Sequence, residues 1–214
     1  MNLPSRIQDL KYNVLKLSSL VETNIKDAFS AVEKKDLELS KTVINTDSKI
    51  NMMEVEIEKE VNDILETFRP SDNDLRYLLA ALKINNELER IGDYATNIAR
   101  NTQFMVEHPD LELPDVLAHS AETLTSMLNK AINAFILSNE QTALDVIEMD
   151  DIIDKNNREI FSIFKEKTIS NPAFLRQFIV FTNISRYVER AADHTTNIAE
   201  DIICLLYTSD AADE

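Results

Sequence analysis

Ile84, Leu88, Ile91, Ala95 and Ile98 fall at i, i+4, i+7, i+11 and i+14, the spacing that lines up one apolar stripe on a helix. Ile184, Val188, Ala191, Thr195 and Ile198 repeat the stripe 100 residues later. Helical periodicity of this kind runs through six long segments separated by breaker residues. The first three are predicted at Ser5–Glu33, Asp36–Phe68 and Asp72–Val106, with Arg69-Pro70-Ser71-Asp72 supplying a Pro stop and a Ser or Asp cap. The others are predicted at Pro114–Leu137, Asn139–Thr168 and Pro172–Ile203, and the joint runs from His108 to Pro114. Long helices on short connections pack antiparallel. The expected fold is therefore all-α, a tandem duplication of an antiparallel three-helix bundle, with the first bundle over residues 5–107 and the second over 113–203.

The duplication is visible residue by residue. Glu89 to Arg100 and Glu189 to Glu200 agree at seven of twelve positions: Glu, Arg, Asp, Thr, Asn, Ile and Ala. Leu75-Arg76 matches Leu175-Arg176 at the same offset of 100. Upstream the offset becomes 103, aligning Val43-Ile44, Asp47, Ile50, Glu56 and Ile57 with Val146-Ile147, Asp150, Ile153, Glu159 and Ile160. The change places a three-residue length difference before the third helix of a half.

Composition narrows the fold class further. A single Gly in 214 residues removes phosphate-cradling loops, doubly wound sheets and barrels, which need glycine at positive φ or at close backbone approach. No apolar run approaches the roughly 20 residues of a membrane span. The N-terminus lacks the basic and apolar regions of an export signal, and one Cys permits no internal disulfide, so a cytoplasmic setting is expected. Cys204 to Glu214 reads like a translated transposon-type sequencing adapter and is set aside as non-native, which leaves the native C-terminus after about Ile203 undefined. The formal charge of −16 becomes −13 without the tail's Asp210, Asp213 and Glu214. That charge disfavours nucleic acid and anionic lipid and favours cations or basic protein surfaces.

The acids are patterned. Glu89, Asp93 and Asn97 form a stripe roughly opposite the apolar one, and Glu189, Asp193 and Asn197 do the same in the second half. Stacked carboxylates at i, i+4 cost a few tenths of a kcal/mol on an isolated helix, a conflict that a bound cation resolves. Asp47, Asn51 and Glu54 on the second helix have Asp150, Asp154 and Asn157 as counterparts, so each bundle offers oxygen ligands from two helices. The expected metal ligands are Asp47, Glu54, Glu89, Asp93, Asn97, Asp150, Asp154, Glu189, Asp193 and Asn197. The plain alternative is a solvated acidic face.

Other chemistries lack their residues. None of His108, His119 and His194 has a Glu three positions before it, His-Glu-x-x-His is absent, and no thiolate set exists. His194 reads as a surface residue rather than a metal ligand, because Tyr94 takes its place in the first half. Arg90 and Arg190 are expected to pair with neighbouring acids. Gly92 and Ala192 read as small residues that let helices approach closely. No catalytic residue is expected.

At these residues the chain resembles the PhoU family of phosphate-uptake regulators. The resemblance rests on Glu-Arg-x-x-Asp-x-x-x-Asn-Ile-Ala occurring twice, on Asp47-x-x-Ile and Asp150-x-x-Ile, and on Arg69 to Arg76; it extends from about Ser5 to Ile203. It implies multinuclear iron, zinc, manganese or magnesium clusters held by the repeated acids. It also implies a non-enzymatic, cytoplasmic and often homodimeric protein that restrains the phosphate ABC transporter through its ATPase. A phosphate-sensing histidine kinase is the second implied partner, and through it the protein shuts off the starvation response. Asn51 and Asn157 stand where the family often has acids, which implies fewer or weaker metals. Similar domains form the tails of sodium/phosphate cotransporters, whereas Met1 and the lack of a membrane segment favour a free-standing form here. Two readings stand beside each other: a metal-loaded signalling adaptor, and a scaffold whose acidic faces dock basic partners. A carboxylate oxidase is disfavoured by the missing Glu-x-x-His.

Overall fold

The computed structural model describes residues 2–210. Among these the chain forms α1 (Leu3–Lys34), α2 (Leu37–Phe68), α3 (Asp72–Ala99), α4 (Thr102–Glu107), α5 (Asp115–Leu137), α6 (Glu140–Ser170) and α7 (Leu175–Asp210), with no strand. Local chemistry sets the boundaries. Asn2 caps α1 by accepting from the Ser5 N–H at 3.1 Å, and Asp36 caps α2 by accepting from the Glu38 and Leu39 N–H groups, each at 3.0 Å. The turn before that cap is Lys35 in the left-handed region, φ 58°, and it recurs 103 residues on as Ser138, φ 52°, followed by the Asn139 cap of α6.

Helices α1 to α3 make one three-helix bundle and α5 to α7 the second, packed together through α1 against α5 and α3 against α7. The apolar stripes are where the periodicity puts them, since Ile84, Leu88, Ile91, Ile184 and Val188 are all buried. A Tyr77–Phe135 ring stack, with centroids 4.9 Å apart, spans the two bundles. Gly92 has its anticipated packing role: a Cβ there would stand 3.0 Å from Ile50 Cδ1, while Ala192 is fully buried at the equivalent place.

The third predicted segment is broken. Helix α3 stops at Ala99 rather than running to Val106, because the Asn101 side-chain amide donates to the Asn97 and Ile98 carbonyls and takes over their helical role. The chain then re-aims as α4 and buries Met105. Pro172 opens a short 3-10 turn in place of the first turn of α7, with the Asn171 carbonyl oxygen of the side chain accepting from the Ala173 N–H at 3.1 Å. Helix α7 continues beyond Ile203, and Leu205 and Leu206 pack partly buried against the core. Residues 211–214 of the adapter-like tail lie outside the described residues. Among the described residues no helix is long and apolar enough to cross a membrane.

Candidate metal centre

Each bundle carries an acidic groove between its second and third helices. In the first, α2 contributes Asp47, Asn51 and Glu54, while α3 contributes Glu89 and Asp93. These side chains are neither solvated freely nor buried. Glu89 and Asp93 keep 23% and 42% of their side-chain surface exposed. Partial burial pushes the Asp93 pKa up, and the facing Asp47 carboxylate, within hydrogen-bonding reach, adds to the rise. Glu89 is raised by burial and then by Asp93, Glu54 and Asp47, while Arg90 opposes the shift. Glu54 is raised by burial and by Glu58. The two helices thus do bring Asp47, Glu54, Glu89 and Asp93 into one field of mutual repulsion.

The second bundle repeats the arrangement more strongly. Burial, followed by Asp193, Asp154, Asp151 and Glu189, drives the Asp150 carboxyl up to about 6 from 3.8. Glu189 is raised by burial and then by Asp193 and Asp154, and Asp193 is raised by burial and then by Asp154. Asn157 is built into this groove by donating to Glu189 Oε2 at 2.7 Å and accepting from the Ser185 hydroxyl at 2.7 Å. Arginines edge both grooves. Arg90 reaches Glu89 at 3.5 Å and Asp93 at 4.0 Å, as the sequence suggests, and Arg158 reaches Asp154 at 3.2 Å.

The donor set suits a hard cation. All groups are carboxylate or amide oxygens, and the Asn51 Oδ1 atom is buried with no hydrogen-bond partner, an orphan acceptor that a cation would satisfy. The geometry is open rather than assembled: among the described residues no three His, Cys, Asp or Glu side chains already converge as a metal site. Rotation of these half-exposed side chains is needed to close one.

Asn97 and Asn197 turn to other partners. Asn97 Oδ1 accepts from Arg100 at 2.8 Å, and Asn197 donates across the bundle interface to Glu87 at 3.4 Å. His194 is half-buried rather than a free surface residue, with Nδ1 2.5 Å from Glu87 Oε2 and its ring 5.6 Å from that of Tyr94. Burial would raise Glu87, but hydrogen bonds from His194 and Asn197 outweigh it and hold the carboxyl below its ordinary value. Sequence reasoning missed Thr96, whose hydroxyl donates to Asp47 at 3.4 Å, and its counterpart Thr196, whose buried hydroxyl has no partner. The signal was present, because threonine is one of the seven residues identical in both copies of the motif.

The family model described as PhoU domain matches twice, over residues 14–102 and 117–202, one match to each bundle and each spanning its acidic groove. The chain belongs to the PhoU family. Among its PhoU relatives, the phosphate-specific transport system accessory protein PhoU homolog of Aquifex aeolicus is 31% identical over 190 residues, covering 89% of this chain and 86% of that protein. The PhoU homolog 1 of Thermotoga maritima is 30% identical over 195 residues, covering 91% and 84% respectively. The crystal structure of PhoU from Pseudomonas aeruginosa superposes with a TM-score of 0.91 at 28% identity, covering 97% of this chain and all of that one. The PhoU fold, a tandem repeat of helical bundles, is therefore the fold of this chain.

Proposed function

We propose that this PhoU-family chain is a non-enzymatic regulator of phosphate uptake and of phosphate-starvation signalling that works in the cytoplasm by binding. Its partners in this reading are the ATPase of the phosphate ABC transporter and a phosphate-sensing histidine kinase, and its working form is a homodimer. The relatives named as accessory proteins of a phosphate-specific transport system support the process. The observation that carries the mechanism is the acidic groove built once per bundle, with six carboxyl pKa values across the two grooves raised by burial before any mutual repulsion is counted. Carboxylates held this way favour any event that neutralises them.

Iron, zinc, manganese or magnesium bound there would supply fixed positive charge and open coordination positions for ligands brought by a partner. Asp47, Glu54, Glu89 and Asp93 would hold it in the first bundle; Asp150, Asp154, Glu189 and Asp193 would hold it in the second. Asn51 and Asn157 add neutral oxygens. Arg90 and Arg158 limit the net charge of each groove by pairing with Glu89, Asp93 and Asp154. A second reading, in which the acidic faces dock basic partner surfaces without metal, is favoured by the open geometry of the grooves.

Metal analysis of protein purified without chelator or affinity-tag metal separates the two. The metal reading expects bound metal in the wild type and its loss in Asp93→Ala/Asp193→Ala. In a bacterium lacking its own PhoU, wild-type protein should restore repression of starvation genes in phosphate-replete medium and the double variant should restore it poorly. Full restoration by the variant would move the function to other surfaces.

A further inference from the structure

An apolar trough lies away from both acidic grooves, on the seam where the two bundles meet through α1 and α5. It has a volume of about 580 Å³. Its lining residues fall at i, i+4, i+7 and i+11 on α1, from Glu22 to Glu33, and at i, i+3, i+7 and i+11 on α5, from Ala118 to Asn129. Both spacings trace one face of a helix over three turns, so the trough is about 16 Å long at 1.5 Å per residue. Helices α1 and α5 run antiparallel along it, because the Lys35 side chain at the end of α1 donates to the Pro109 carbonyl in the segment that leads into α5.

Buried Phe29 and Ala121 form its floor, with the half-buried Ala118 and Leu113 beside them. Ala118 and Ala121 at the base let a third backbone approach α5 closely, while the Phe29 ring offers apolar surface on the α1 side. The rim is acidic. Glu22 is neutralised by Lys26 at 2.6 Å, but Glu33 and Glu122 are exposed and have no ion-pair partner among the described residues.

We propose that this α1/α5 trough is a docking site for an amphipathic helix of a partner protein, with an apolar stripe flanked by Lys or Arg. The two-helix walls select a helix over an extended peptide, since side chains at i, i+3 or i+4 and i+7 of the incoming segment match the ridges on both sides. The uncompensated Glu33 and Glu122 select a cationic flank. A second copy of the chain is a poor occupant, because it brings a charge of −16 to an acidic rim. The site is independent of metal in the acidic grooves.

The test uses full-length protein in chelator at physiological salt and three fluorescein-labelled 14-residue peptides followed by anisotropy. One carries Leu and Ala on one helical face with Lys on its flanks, the second is a scrambled isomer of equal charge without an apolar face, and the third has every Lys replaced by Glu. The first should bind at least tenfold more tightly than the others. That affinity should fall at least tenfold in Ala121→Trp, which fills the floor, and in Glu33→Lys/Glu122→Lys, whose exposed positions leave the fold intact. It should be unchanged in a variant neutralised at Glu89, Asp93, Glu189 and Asp193. Equal binding of the scrambled isomer, loss of binding only in the neutralised variant, or a concentration-dependent dimer abolished by Ala121→Trp would each overturn the assignment.

Discussion

Asp150→Asn should stabilise the metal-free protein at neutral pH, although it removes a charge from a surface groove. The carboxyl sits at about 6 against an ordinary 3.8, raised by burial and then by Asp193, Asp154, Asp151 and Glu189. Below pH 3.8 both folded and unfolded chains hold the proton and the group contributes no difference. Between 3.8 and about 6 the folded state binds the proton more tightly, so stability falls as pH rises, and above about 6 the full penalty applies. A difference of that size corresponds to about 3 kcal/mol at 1.4 kcal/mol per tenfold, and solvent screening of a half-exposed carboxylate reduces it to about 1 kcal/mol. For a chain of this size that is a rise in Tm of roughly 2–4 °C. The assay is thermal unfolding of wild type and variant at pH 4.0, 5.0, 6.0 and 7.5 with chelator at constant ionic strength. The gain should be near zero at pH 4.0 and complete by pH 7.5. Repeating pH 7.5 with excess manganese should reverse its sign, because the cation stabilises the wild type by mass action and Asn binds it less well. A gain independent of pH, or destabilisation at pH 7.5 in chelator, would refute the electrostatic account of the groove.

Manganese, iron, zinc or magnesium should raise the Tm of the wild type and leave a variant neutralised at Glu89, Asp93, Glu189 and Asp193 nearly unmoved; equal shifts in both would defeat the ligand assignment. Gly92→Ala should be close to neutral, since about 1 kcal/mol of helix propensity is offset by crowding at Ile50. In an Ile50→Val background, which removes the Cδ1 atom 3.0 Å from the new Cβ, the same change should stabilise by at least about 0.5 kcal/mol more, and urea unfolding that shows simple additivity sinks the packing argument. Glu87→Gln should cost about 1 kcal/mol at pH 7, and because the folded-state carboxyl lies below its ordinary value, the cost should shrink as pH falls below 4.5; a cost constant down to pH 3 would show that the bridge to His194 carries no charge-dependent stability. Asp36→Ala, which deletes the cap over the Glu38 and Leu39 N–H groups, should cost about 1 kcal/mol by the same measurement, and no loss would mean the α1–α2 turn holds without it.

The helical framework was legible because two independent patterns agree. The stripe from Ile84 to Ile98 specifies a buried face, and its repetition from Ile184 to Ile198 specifies that the face is used twice. The break at Arg100 was illegible for a physical reason. Thr102 and Met105 continue the apolar period well enough to read as helix, and only the Asn101 amide capturing the Asn97 and Ile98 carbonyls ends α3. The groove acids on α3 and α7 could be placed from spacing alone, since i and i+4 fix a face. Asn97 and Asn197 could not, because a second step of four residues adds to a drift of about 40° per step around the helix, toward Arg100 in one case and toward the Glu87 carboxylate of the other bundle in the other. The Glu87–His194 bridge joins residues 107 apart, and no local period carries that information.

The duplication also explains why the two grooves should differ in strength. On the second helix of each half the three groove positions read Asp47, Asn51, Glu54 and Asp150, Asp154, Asn157, so each half has two acids and one amide, but the amide has changed place. In the first groove the amide is central and leaves an unpaired buried oxygen at Asn51. In the second the amide is terminal and spends its donor on Glu189, while the central Asp154 bears on Asp150, Glu189 and Asp193 together. The greater repulsion falls on the second groove, where the Asp150 carboxyl rises to about 6. A cation relieves more strain there, so in titration of the chelated protein the second groove should fill first. Asp154→Asn should bring the two grooves to similar affinity, and Asn51→Asp should do so from the opposite side. If neither substitution changes the order of filling, an acid at the central position of the second helix does not set the affinity, and Glu89, Asp93, Glu189 and Asp193 on the third helices do.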